Sequence, residues 1–335
     1  MESHPLQTST VRDLTGGNIF RQLLTLALPL MAISFIQMAY NLVDIIWIGR
    51  IGSESVAAVG AVGMMMWMMN SVALISKVSA EISIGQSIGA RRLDQASLYA
   101  SHTTTIALVL GVTFGLFFIL FPDPYISFYK LEPAIALEAA GYMQIISLGI
   151  PIIFLVLNFS GIYIGSGRSD IPFYFNATGL VTNIILDPLL IFTFGWGITG
   201  AAIATVIGNG LSALFFLACY VRKKTFLSLT FHKFTLDSAI LKEIFAIGIP
   251  VTAGQMLVSV AQMIQNNLAS GYGDTTVAAL GIALKIMTIG TFIFMGFSAG
   301  CQPLMGYNYG SGNYMRMKEF IKTGIMLTSL VGLVL

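Results

Sequence analysis

Five ionisable side chains stand inside long apolar stretches of the sequence: Asp44, Lys77, Glu81, Asp187 and Lys285. A charge at the centre of a hydrocarbon-spanning helix costs about 3 kcal/mol on insertion scales, so such a group marks a place where something is bound or paired. Asp44 closes the run Tyr40-Asn41-Leu42-Val43-Asp44, and Asp187 stands in Asn183-Ile184-Ile185-Leu186-Asp187-Pro188. Each has a polar residue four positions earlier, Tyr40 and Asn183, which a helix places on the same face one turn away. Two such faces suit reversible binding of a proton or a small cation. Desolvation favours the protonated form of a carboxylate so placed, as a group that alternately loads and releases a proton requires. Pro188 has no amide hydrogen, so it loosens the helix beside Asp187 and frees a carbonyl that could help hold an ion.

The other three charges read differently. Lys77 and Glu81 are spaced for a mutual ion pair on one helix face, a structural arrangement. Lys285 has no acid at helical spacing, so it is expected to face a water-filled cavity or a carboxylate from elsewhere. Met64, Met65, Met66, Met68 and Met69 surround Trp67; flexible thioethers suit ligands of many shapes, but such a run covers every face of a helix. Cys219 and Cys301 lie far apart in apolar segments and indicate no disulfide framework or metal cluster. His4 and His232 read as solvent-facing, and His102 has no acidic or metal-ligand companion in the sequence. No paired Asp-rich motif and no helix with two metal-ligand histidines is present, so an intramembrane enzyme is not expected.

The elements that position these residues must be membrane helices. Apolar residues make up 56% of the chain and charged ones 10%, with a mean hydropathy of +0.83, against about 25% charged in an ordinary soluble domain. Lipid must therefore be the outer solvent. Apolar runs separated by short polar breaks predict nine helices, at 20–48, 56–88, 98–121, 134–165, 171–194, 198–220, 240–270, 277–307 and from 320 onward. Among loop cations only Arg50 and Lys130 fall on one side; the rest, from Arg12 through Arg91, Arg92, Arg168 and Lys223 to Arg316, fall on the other, which predicts a cytoplasmic N-terminus. The formal net charge of +2 gives no reason to expect nucleic acid, and no removable signal peptide is expected in the polar stretch from Met1 to Asn18.

An internal repeat organises the helices. Pro29 recurs as Pro250, an offset of 250 − 29 = 221, and the same offset pairs Gly52 with Gly273, Gly60 with Gly281, Gly85 with Gly306 and Gly89 with Gly310 without a gap. Matches at glycine and proline are what a shared backbone demands. The first predicted helix corresponds to the seventh, and an even shift makes the repeat parallel, with the substrate path between the halves. The expected architecture is all-α, a polytopic bundle of two parallel six-helix repeats. The second is incomplete, because the chain stops within the counterpart of the third helix. The expected divisions are a cytoplasmic segment at 1–19, a first lobe at 20–221, a cytoplasmic linker at 222–238 and a partial second lobe at 239–335.

On these residues the chain resembles the multidrug and toxic compound extrusion (MATE) family, and within it the DinF-like branch. The likeness rests on Ala27-Leu28-Pro29 through Asp44 to Gly49, the loop from Gly52 to Gly60, the Gly165-Ser166-Gly167 turn, and Asn183 to Pro188. The resemblance implies a two-lobed antiporter of the cell membrane, working without a cofactor and as a monomer, that exports organic, often cationic, compounds in exchange for protons or sodium ions. It implies an ion-coupling cluster of Tyr40, Asp44, Asn183, Asp187, Tyr142 and Thr205, with sodium as the one metal ion that Asp44 and Asp187 could hold. Ser160 stands where relatives often carry Asn. The NorM-like branch places an acid in the seventh helix; here Gln265 occupies the repeat position of Asp44, and with Lys285 it is a candidate for the substrate cavity. A lipid-linked oligosaccharide flippase of the same superfamily is the alternative, but its cavity should carry several arginines for phosphate.

Overall fold

The computed structural model describes residues 14, 16–221 and 237–334. The expected linker at 222–238, apart from its last two residues, lies outside the described residues, as do His4, His232 and the side chain of Lys285. Every regular element among the described residues is helical. In chain order these are α1 (Ile19–Ile51), α2 (Ser53–Gly89), α3 (Leu93–Leu120), α4 (Pro122–Ser127) and α5 (Pro133–Gly165). Next come α6 (Asp170–Pro188), which runs into a π turn (Leu189–Thr193), then α7 (Gly197–Val221), α8 (Ser238–Ser270), α9 (Asp274–Gly310) and α10 (Tyr314–Val334). Among the described residues seven segments are long and apolar enough to cross a membrane: α1, α2, α3, α5, α6 with its π turn, α7, and Ser238–Gln262 of α8.

The helices outrun the apolar stretches at their polar ends. Asn18 caps α1 by accepting from the Arg21 amide at 3.0 Å, and Asp237 caps α8 by accepting from Ala239 at 2.9 Å, satisfying amides that the first turn leaves open. Helix α3 begins at Leu93, five residues before its apolar run, with Asp94 in its positive first turn. The short α4 has no apolar signal of its own; Pro122 starts it. It carries Tyr125, whose hydroxyl accepts from the Met65 amide at 3.0 Å and donates to the Ala61 carbonyl at 2.9 Å. That hydroxyl bridges one rung of α2. Between α5 and α6 the chain reverses through Gly167 at φ +78°, a conformation that a Cβ would strain. Arg168 closes the turn with a bidentate pair to Asp170, at 2.8 and 2.7 Å.

Take the starts of α1 and α8 as the near end of the bundle. There α8–α10 clamp onto α1–α7 with backbone-to-backbone contacts. A Cβ at Gly248 would lie 2.6 Å from the Ile75 Cα, one at Gly300 2.6 Å from the Ala27 Cα, and one at Gly296 2.7 Å from the Met31 Cα. A Cβ at Gly89 would collide with the Tyr307 carbonyl, and one at Gly310 with the Gln86 carbonyl. Hydroxyls bind across the same seam: Ser79 to the Ile244 carbonyl at 2.7 Å and Thr252 to the Ser71 carbonyl at 2.8 Å. At Gly49, Gly60, Gly63, Gly254 and Gly281 a Cβ would meet nothing within 4 Å. The glycine-mediated backbone contacts between the two groups of helices run from the near end to the level of Ile75 and Gly248.

Candidate functional site

Two glycines make the site possible. A Cβ at Gly208 of α7 would stand 2.6 Å from the Gly179 carbonyl oxygen, and one at Gly179 of α6 the same distance from the Gly208 carbonyl oxygen, so only glycine at both positions lets α6 and α7 approach this closely. One turn on, the side chain of Asn183 reaches α7. With its amide oriented to satisfy both ends, its oxygen accepts from the Thr205 backbone amide at 2.9 Å and its nitrogen donates to Asp187 Oδ2 at 3.3 Å. The Thr205 hydroxyl lies 3.2 Å from the Tyr40 hydroxyl of α1. Thr205 is thus the junction of α1, α6 and α7.

The acids complete the cluster. Asp187 is fully buried, and Asn183 and Tyr142 are 3% and 2% exposed. Asp44 is half-buried. It lies within electrostatic reach of Asp187 and Tyr40. Tyr142, from α5, lies within reach of Tyr40 and both acids. The structure therefore gathers Tyr40, Asp44, Tyr142, Asn183, Asp187 and Thr205 from four helices into one place. Pro188 follows at once, and the chain passes into the π turn, where Phe194 donates to the Leu189 carbonyl at 3.0 Å. The helix thus widens directly after Pro188, one residue beyond Asp187. The cluster offers hydroxyl, amide and carboxylate groups, which suit a proton or a hard cation. Among the described residues no group of three His, Cys, Asp or Glu could hold a metal ion.

Several residues lie elsewhere. Gln265 is exposed on α8. Ser160 donates to the Val156 carbonyl at 2.8 Å and accepts from Asn176 at 3.1 Å, so its hydrogen bonds serve the α5–α6 contact rather than the cluster. His102 is buried with Nδ1 2.8 Å from the Leu98 carbonyl.

The expected Lys77–Glu81 ion pair is a correction. The salt bridge found within 4.0 Å among the described residues is Arg168–Asp170, and Glu81, 2% exposed, has an Oε1 without a partner. Helix α5 presses Gly161 and Gly165 against the backbone of α2 at Lys77 and Glu81, and Lys77 stays within electrostatic reach of Glu81 without closing a salt bridge.

Two features escape sequence reasoning. Trp47 of α1 packs edge-on against Phe192 of the π turn at 5.8 Å between centroids and lies under the Arg50 guanidinium at 4.9 Å, tying α1 to the site's outer edge. The three-residue spacing of Trp47 and Arg50 was its only signal. At the near end a polar pocket of about 330 Å³ is lined by Ser83, Gln86, Arg92, Gln95, Tyr99 and Glu243, among others, with the Tyr99 hydroxyl donating to Glu243 across α3 and α8.

Comparison with known proteins gives one family. Residues 29–189 and 250–335 match the MatE family. The multidrug export protein MepA of Staphylococcus haemolyticus is 27% identical over 94% of this chain and 70% of its own length. A MATE transporter crystallised in a complex superposes with a TM-score of 0.93 at 28% identity, covering 98% of this chain and 74% of that one. A multidrug resistance MATE family transporter of the MOP superfamily, solved in an outward-facing conformation, gives 0.92 at 27% identity over 99% and 73%.

Proposed function

The chain belongs to the MatE family, and on that premise we propose that it is a secondary active antiporter exporting organic, often cationic, compounds in exchange for protons or sodium ions. It is a multi-pass membrane transporter of the multidrug efflux kind, needs no cofactor and is not an enzyme. The observation that carries the coupling mechanism is the burial of Asp187 beside Asn183, tied through Thr205 to Tyr40, with Asp44 in electrostatic reach. Loading and releasing an ion at two such carboxylates gives a bistable bundle a term that differs between its states, which is what coupling requires. The DinF-like assignment, with coupling through the first lobe, fits an α8 that carries Gln265 where α1 carries Asp44.

The two-lobed reading, 20–221 and 239–335 joined by 222–238, draws support from the near-end seam. Gly89 meets the backbone of Tyr307 and Gly310 meets that of Gln86, and both the glycines and their partners stand 221 residues apart. A parallel pseudo-two-fold axis between the lobes would produce such reciprocity. Arg91, Arg92, Arg168 and Arg316 cluster at the near end against Arg50 and Lys130 at the far end, which favours a cytoplasmic near end in a plasma membrane. We take the working unit to be a monomer that engages lipid and small organic molecules and no nucleic acid. Kinship to multidrug exporters favours export of such molecules over the flippase alternative.

The test is efflux of a fluorescent organic cation from proteoliposomes, with pH and sodium gradients imposed separately. One gradient should drive efflux and the other should not. Transport driven by neither, at confirmed incorporation, overturns the antiporter reading.

A further inference from the structure

The near-end pocket is built from both groups of helices. Ser83 and Gln86 come from α2, Arg92 from the turn into α3, Tyr99 from α3 and Glu243 from α8, with Gly310 of α9 also on its wall. Its volume of about 330 Å³ is at the lower end of the range, about 300–1,000 Å³, in which proteins hold small molecules. The turn brings Arg92 to it. Arg91 takes a left-handed backbone at φ 59°, and the Arg92 amide returns to the Ser87 carbonyl at 2.8 Å, closing α2.

Two observations mark the pocket as a place for a ligand. Ser83 is 1% exposed, and its hydroxyl has no hydrogen-bond partner, although Ser87, one turn on, donates its own to the Ser83 carbonyl at 2.7 Å. A buried hydroxyl left open costs about 1–3 kcal/mol, which a polar group of a ligand would recover. The second observation is a pair of opposite charges that do not meet. Among the described residues the ion pair found is Arg168–Asp170, so Arg92 and Glu243 share the lining without pairing. The Tyr99 hydroxyl donates to Glu243 Oε2 and holds that carboxylate in place. A simple anion would face Glu243 and a simple cation would face Arg92, so the lining disfavours both. A ligand that carries both signs satisfies both.

We propose that this pocket binds a zwitterion of amino-acid size, its carboxylate on Arg92, its ammonium on Glu243 and a polar group on the Ser83 hydroxyl. The bound ligand joins α2 and α3 to α8 and so favours the closed near end over any state in which the two groups of helices separate there. On the export reading above, on which this second consequence rests, occupancy slows transport.

L-Glutamine is the probe, titrated calorimetrically into the purified full chain with no gradient present. Binding should saturate, with a Kd at or below about 1 mM. Arg92→Gln and Glu243→Gln should each weaken it about tenfold or more, Arg92→Lys by no more than about threefold, and Ser83→Ala about fivefold. L-Glutamine methyl ester, which lacks the carboxylate, and N-acetyl-L-glutamine, which lacks the ammonium, should each bind the parent about tenfold more weakly. Absence of saturable binding, or binding that both charge-removing variants leave unchanged, overturns the site. Saturating glutamine on both faces of proteoliposomes should slow gradient-driven efflux at least about twofold in the parent and leave Arg92→Gln at its own glutamine-free rate. Parental efflux that saturating glutamine leaves unchanged overturns the closing role. If no gradient drives efflux by the parent, the export reading falls, and the titration still decides the site.

Discussion

The Asp187 carboxylate takes a hydrogen bond from Asn183, one turn earlier on the same helix, and Asn183 in turn takes one from the Thr205 backbone. A change of charge at Asp187 is therefore felt first by α7, at the point where α7 meets Tyr40 of α1. The acid is wired to two other helices through a single amide.

Asp187→Asn and Asp44→Asn keep size and one acceptor but remove the negative charge and the ability to titrate. Gradient-driven efflux at matched expression should fall about tenfold or more in either variant. Equilibrium binding of a large apolar substrate should change by less than about threefold, because the cavity supplies most of its affinity. Parental efflux rates in both variants would defeat the ion-site assignment.

Thr205→Val removes the hydroxyl that meets Tyr40, whereas Thr205→Ser retains it. The valine variant should lose about 1–2 kcal/mol of stability, the cost of leaving a buried polar partner unsatisfied, and should transport poorly. Serine should restore most of both. Melting in detergent together with efflux checks this, and equal behaviour of the two variants would show that the hydroxyl contact carries nothing.

At the seam, Gly89→Ala and Gly310→Ala should each cost about 1–3 kcal/mol, since a methyl group there must push α2 and α9 apart. Once one has separated the helices the second should cost less, giving a clear non-additive term in a double-mutant cycle. Gly254→Ala, whose methyl meets nothing, should stay within about 0.5 kcal/mol of the parent.

Glu81 gives a prediction of opposite sign. Its buried carboxylate has an unpartnered oxygen, so Glu81→Gln should raise stability by about 1 kcal/mol rather than lower it, with efflux little changed. A loss of more than about 2 kcal/mol in the melting curve would show that the carboxylate has a partner after all.

The seven spans found among the described residues were legible because hydrocarbon thickness imposes a length that no soluble element needs, and four members of the cluster because Tyr40–Asp44 and Asn183–Asp187 repeat one spacing inside apolar runs; Tyr142 and Thr205 had only the family resemblance to point to them. What could not be read depends on which helix stands beside which. Lys77 and Glu81 have ion-pair spacing, yet no salt bridge joins them, and only the structure shows that α5 lies against their backbone. Gly179 and Gly208 look like ordinary small residues until their backbones meet. Tyr125 belongs to a helix of six residues with no periodic signal, and the Met run of α2 could not be divided into buried Met65 and Met69 and exposed Met64 and Met68 until its neighbours were in place.

The crossing of α2 and α9 also has the form of an isologous interface, in which a patch on one partner meets the same patch on the other. Two separate polypeptides could share such a surface as readily as two stretches of one chain. If the chain is severed within residues 222–236 and both fragments are made in one cell, they should find each other along Gly85–Gly89 and Gly306–Gly310. The intervening residues would then contribute local concentration rather than geometry.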